Sequence, residues 1–206
     1  MPLSKIQSES INLADTFAFT GAVSGAGDLR KFSSSTTTQT GLTNLQISLP
    51  TTDDFHELLI KFRALKCESA TNNFWGFTLG DASGTAIQTG YKYMGQYTYS
   101  NGSSHGVSYT QSTTGGVYGR LSAHYPGDGS DDTEFTDMEI SLKFSNKSDR
   151  YTRIFVRTGF EKRHTDAYIT FNQVALIRDA AEVNANINIF VTAGAAFTSY
   201  GYGLYK

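Results

Sequence analysis

The chain has 206 residues and a formal net charge of −2, enough length for one domain with a sizeable core and no basic excess of the kind that binds nucleic acid. Charged residues are only 17% and prolines number 3, against 20 glycines, 12 tyrosines and 14 phenylalanines. That mix excludes both a disordered chain and a helical one, and fits an all-β domain.

Residues 1–30 are polar, small and punctuated by Gly21, Gly25 and Gly27. They read as an extended arm or a first edge strand and not as a helix, and are taken as an N-terminal arm for attachment or inter-subunit contact ahead of a single β-sandwich domain over 31–206. The polar run Ser33–Thr38 reads as a loop or an exposed strand. From Leu45 onward a period of two takes over. Leu45, Ile47 and Leu49 alternate with polar neighbours, as do Leu58, Ile60 and Phe62, then Met138, Ile140, Leu142 and Phe144, then Ile154 and Val156, then Ile187, Ile189 and Val191. Each run has one apolar face, as a half-buried strand requires. Leu58, Ile60, Phe62, Ile140, Leu142 and Ile154 are the expected core.

Turn chemistry separates the runs at Gly80-Asp81, Asn101-Gly102, Gly115-Gly116, residues 126–129 and residues 145–148. Asn101-Gly102 is the strongest hairpin signal, since both central residues of a type I′ turn need positive φ. Residues 180–183 could form one turn of helix, and nothing longer is visible. Many short strands with frequent turns predict an antiparallel β-sandwich of jelly-roll type.

Cys67 is the only cysteine, so no disulfide closes within the chain and the thiol reads as half-buried and structural. The first residues lack the apolar run of a signal peptide, and no apolar stretch is long enough to span a membrane. The expectation is a protein made and kept soluble in a cytosol, or released from one by a route other than a signal peptide.

Three groups of residues bear on chemistry. The acidic turn Asp128–Glu134 offers oxygen ligands at alternate positions, like the first half of a calcium loop. Thr133 stands where such a loop needs Gly, and no bidentate Glu follows, so a solvated turn is the preferred reading. His56, His105, His124 and His164 are isolated in sequence and lack metal-ligand spacing. No nucleophile elbow or phosphate loop is present. Catalytic, cofactor and metal residues are therefore all expected to be none. The third group is Tyr91, Tyr93, Tyr97 and Tyr99, which share one face of a strand. They suit core packing, a subunit interface or a ligand platform. Tyr200 and Tyr202 are further candidates for contact between subunits or with a ligand.

The segments LQISLPTTDDF, HELLIKFRALKC, NFWGFTLGD, RYTRIFVRTGF, YITFNQVAL and VNANINIFVTAGAAFTSYGYGLYK, in this order, cover much of the chain. Together they resemble small bacteriophage virion structural proteins of marine and cyanobacterial phages. The opening SKIQSESINLADTFAFTGAVSGAG is similar to N-terminal arms of phage tail-fibre and decoration proteins. The ending departs from the usual pattern, since Gly203 precedes Leu204-Tyr205 and Lys206 follows directly. The resemblance implies a capsid decoration, cement or head-fibre protein, often a homotrimer, that meets the major capsid protein or another virion protein. Its expected location is the virion, after synthesis in the host cytoplasm, with no nucleic-acid or membrane partner. Two alternatives stay open: a short tail fibre or receptor-binding tip for a host glycan, and a lectin-like or carbohydrate-active sandwich.

Overall fold

The computed structural model describes residues 31–52, 55–68, 74–100, 105–122, 135–164 and 166–206. The proposed arm, the acidic turn Asp128–Glu134 and His124 lie outside the described residues. In chain order the strands are β1 (Lys31–Ser35), β2 (Gln39–Leu42), β3 (Leu45–Ser48), β4 (Glu57–Phe62), β5 (Leu65–Cys67), β6 (Trp75–Gly80), β7 (Tyr91–Ser100), β8 (His105–Gly116), β9 (Gly119–Arg120), β10 (Thr136–Lys143), β11 (Tyr151–His164), β12 (Asp166–Ala181), β13 (Asn186–Val191), β14 (Phe197–Ser199) and β15 (Tyr202–Tyr205). The fold is all-β, and the strand pairings between these elements are antiparallel.

The larger sheet has 11 strands and runs β1-β15-β4-β10-β11-β12-β7-β8, with β2, β5 and β14 off this path; the smaller has 4, in the order β3-β13-β6-β9. They form an unequal antiparallel β-sandwich. The sheets meet through β6. Trp75 packs edge-on against Phe197 of β14 at 5.2 Å, and Phe77 edge-on against Tyr91 of β7 at 5.5 Å. Trp75 Nε1 also donates to Thr136 Oγ1 on β10 at 3.2 Å, so the buried indole keeps its hydrogen bond.

Alternation carried the core. Leu58, Ile60, Ile140, Leu142 and Ile154 are fully buried, and Phe62 nearly so. Strand β6 is different: all of its residues are buried. Its large side chains face the other sheet. On its opposite face Gly76 lies under the Phe190 ring and Gly80 beside the Asn186 amide. Gly119 of β9 lies directly under Phe77, where a Cβ would collide with the ring. This close approach is one that only glycine permits.

Two local expectations are corrected. Residues 180–181 complete strand β12 and no helix follows, because Tyr151 still pairs with Ala181. The β7–β8 pairing expected on either side of Asn101-Gly102 is present, with Ser100 opposite His105, and the turn itself lies outside the described residues. Cys67 is buried rather than half-buried, because β5 turns it inward beside Leu65.

One buried polar cluster closes an end of the sandwich. Arg178 continues the inward alternation of Val174 and Leu176, so its side chain is carried into the interior. There Nη1 forms an ion pair with Glu182 that lacks the alignment of a hydrogen bond. Next to it, Asn184 Nδ2 donates to Thr152 Oγ1 at 2.9 Å and to the Ser145 carbonyl at 3.2 Å, pinning the β10–β11 turn. A buried amide is tolerated only with such partners.

Candidate functional site

The outer face of the larger sheet is where the alternation leaves its polar half. On β4 that face carries Glu57, Leu59 and Lys61, on β10 Glu139, Ser141 and Lys143, and on β11 Arg153, Phe155 and Arg157, since their sequence neighbours are the buried set. Register aligns them into rows across the strands. The central row is Leu59, Ser141, Phe155, Ala175 and Met94. One flanking row is Glu57, Lys143 and Arg153; the other is Lys61, Glu139 and Arg157. The second row continues through positions 173 and 96 to Tyr109 of β8.

This face is concave. It holds a trough of about 1260 Å³ lined by the central row, by Glu57, Lys143, Glu139 and Arg157 of the flanking rows, and by His56, Tyr109 and Lys206. A second hollow of about 350 Å³ adjoins it, shares Met94, Phe155 and Ala175, and extends to Lys92 and Arg153. The floor is apolar and open: Phe155 is 48% exposed and Met94 66%. Such exposure of large apolar side chains within one concave surface marks a binding face.

The walls are charged. Lys61 pairs with Glu139 at 3.1 Å and Lys143 with Glu57 at 3.6 Å. Ser141 Oγ also donates to Glu57. Arg157 in the trough and Arg153 in the adjoining hollow have no ion-pair partner among the described residues, so the two together carry a local excess of positive charge on a chain that is negative overall. The Lys143 ammonium lies 5.9 Å from the Phe155 ring, at the outer limit of a cation–π contact.

The tyrosines expected at a contact surface divide between interior and surface. Tyr91 is fully buried and Tyr93 packs against the core from the same inner face. For Tyr91 the expectation of a subunit or ligand contact is corrected: it is a core residue and presents nothing to a partner. Its hydroxyl is pushed up to about 12, first by burial. The side chains of Tyr97 and Tyr99 lie outside the described part of β7. Tyr202 packs on Phe62 at 6.1 Å and Tyr200 edge-on to Phe135 at 5.5 Å. Both are half-buried and far in chain order from the trough's floor strands.

Sequence reasoning missed the trough residues Met94, Tyr109, Phe155 and Arg157, and Arg153 of the adjoining hollow. The available signal was Arg153-x-Phe155-x-Arg157, a large apolar side chain on the polar face of an alternating strand. Among the described residues no group of three His, Cys, Asp or Glu side chains is placed to hold a metal ion. His56 instead faces the Phe144 ring at 6.2 Å. The side chains of His105 and His164 lie outside the described ones.

Among the described residues, strand β8 forms one border of the larger sheet and pairs only with β7. Its sequence HGVSYTQSTTGG contains no proline, lysine, arginine or acid, and Val107 and Tyr109 are 51% and 73% exposed. Natural edge strands are normally blunted by charge, proline or brevity. No family model, curated protein or solved structure matches the chain.

Proposed function

We propose that the chain is a bacteriophage virion structural protein of the capsid decoration or head-fibre type, working by protein–protein contact rather than catalysis. The observation that carries this reading is the unguarded border of β8. A strand of 12 residues with exposed apolar side chains and an open hydrogen-bonding edge is a liability in a monomer and an asset in an assembly. The same sheet ends at its other border in β1. Head-to-tail pairing of β8 in one copy with β1 in the next would close into a ring, and a homotrimer is the ring we favour. The polar N-terminal arm would then dock the shell. The resemblance of the segment order to phage virion proteins motivates the same reading.

The test is the composition of particles. Virions purified from lysates of the phage that carries this chain should contain it in copies comparable to the major capsid protein. Far fewer copies would move the reading to a tail fibre or receptor-binding tip. Absence from particles would overturn the virion assignment.

A further inference from the structure

We propose that the trough on the outer face of the larger sheet, together with the hollow adjoining it, binds an acidic saccharide, with a sugar ring stacked on Phe155 and its carboxylates held by Arg157 in the trough and Arg153 in the hollow. The proposal stands on the geometry of β11 and its neighbours and is independent of any virion role.

Phe155 sits in the middle of the floor between Ser141 and Ala175. Both neighbours in register are small and neither covers the ring, which is 48% exposed with the Lys143 ammonium 5.9 Å from its centre. A planar apolar face with polar groups around it suits the mixed surface of a sugar better than a uniformly apolar ligand. The arginines point outward two residues to either side of the ring. The rise of a strand sets them roughly 13 Å apart, a span longer than one sugar ring. Guanidinium forks match carboxylates bidentately.

The charge pattern selects the ligand. Glu57 and Glu139 are already matched by Lys143 and Lys61, which leaves the arginines to attract anions. Yet the two carboxylates remain on the walls, where they accept hydrogen bonds from hydroxyls and repel a continuous line of phosphates. Widely spaced acidic groups separated by neutral hydroxyls fit this better than a nucleic-acid backbone. An extended acidic peptide fits less well. Strands β4, β10, β11 and β12 are each paired on both sides, so the floor offers a bound peptide no backbone partners. A saccharide needs only side chains.

The experiment is calorimetric titration of the full chain with alginate oligosaccharides at low salt, alongside neutral dextran, polyglutamate and an oligothymidylate. Alginate should bind and dextran should not. Phe155→Ala should weaken alginate binding about tenfold or more, and Phe155→Trp should retain it. Arg153→Gln and Arg157→Gln should each weaken binding and flatten its salt dependence. Thermal unfolding of each variant separates loss of the site from loss of the fold. No alginate binding, or binding indifferent to Phe155→Ala, overturns the proposal. So does tighter binding of polyglutamate or oligothymidylate through the same residues, which would assign the trough to that polymer. Failure here leaves the particle test untouched, and absence from particles leaves the trough.

Discussion

The Tyr91 hydroxyl accepts a hydrogen bond from the Leu79 amide at 2.7 Å, so a side chain of one sheet completes the backbone bonding of the other. It donates in turn to the Ile87 carbonyl at 3.0 Å. One phenol therefore joins β7, β6 and the loop that follows β6. Tyr91→Phe keeps the ring and its contact with Phe77 but leaves the buried Leu79 N–H without a partner. The expected loss is about 1–3 kcal/mol, read as a lower denaturant midpoint at unchanged slope.

The same residue sets an alkaline limit. Burial raises the Tyr91 phenol from 10.0 to about 12. An acid whose folded pKa is raised contributes stability in full below its unfolded value, and loses it as pH rises through the folded one. Stability should therefore fall between about pH 10 and pH 12. Phenolate absorbance should show one tyrosine ionising late, and Tyr91→Phe should remove that late step.

Asp81 sets an acidic limit in the opposite sense. Its carboxylate accepts from the Ser83 hydroxyl at 2.6 Å and from the Thr85 amide at 2.9 Å. The first of these bonds does most to hold its pKa below 3.8. The stabilisation is complete above the ordinary value and is lost as pH falls through the lowered one. Carboxyl titration by NMR should show Ser83→Ala moving Asp81 back up toward 3.8.

Leu142 and Phe155 test the two faces of the larger sheet. Leu142 is fully buried and Phe155 is 48% exposed. Leu142→Ala should cost about 2–5 kcal/mol, and Phe155→Ala about 0.5 kcal/mol or less. Equal losses in chemical denaturation would mean that Phe155 is covered and the trough is closed.

Val107 and Tyr109 test the β8 border. The double change Val107→Lys with Tyr109→Lys adds charge to an exposed edge without touching the core. Sedimentation at micromolar concentration should show an oligomer for the parent chain and a monomer for the variant, with the melting temperature nearly unchanged. A parent chain that sediments as a monomer would remove the assembly role of β8.

Much of the core was legible because it sits on strands with one wet face. Leu58, Ile60 and Phe62 announce themselves by alternating with polar neighbours. Strand β6 does not, since both of its faces are covered and the large-small alternation of Trp75, Phe77 and Leu79 with Gly76, Thr78 and Gly80 carries no polarity signal. The tyrosines of β7 show the limit of periodicity. Spacing says that Tyr91 and Tyr93 share a face, but the identity of that face depends on which sheet lies opposite. The trough was illegible for a related reason. Its floor takes residues from β4, β10, β11, β12 and β7, and register between strands distant in sequence leaves no mark on any single segment.

Strand β15 lies between β1 and β4, and its Leu204 pairs with Ile60. The first and last described parts of the chain are thus neighbours in one sheet. During synthesis β4 is made early and must wait, with one edge open, until β15 emerges. Contacts this remote along the chain slow folding and prolong the exposure of sticky intermediates. A cell that makes this protein in quantity must shield that waiting edge, so its yield should depend on chaperones more than on the stability of the finished sandwich.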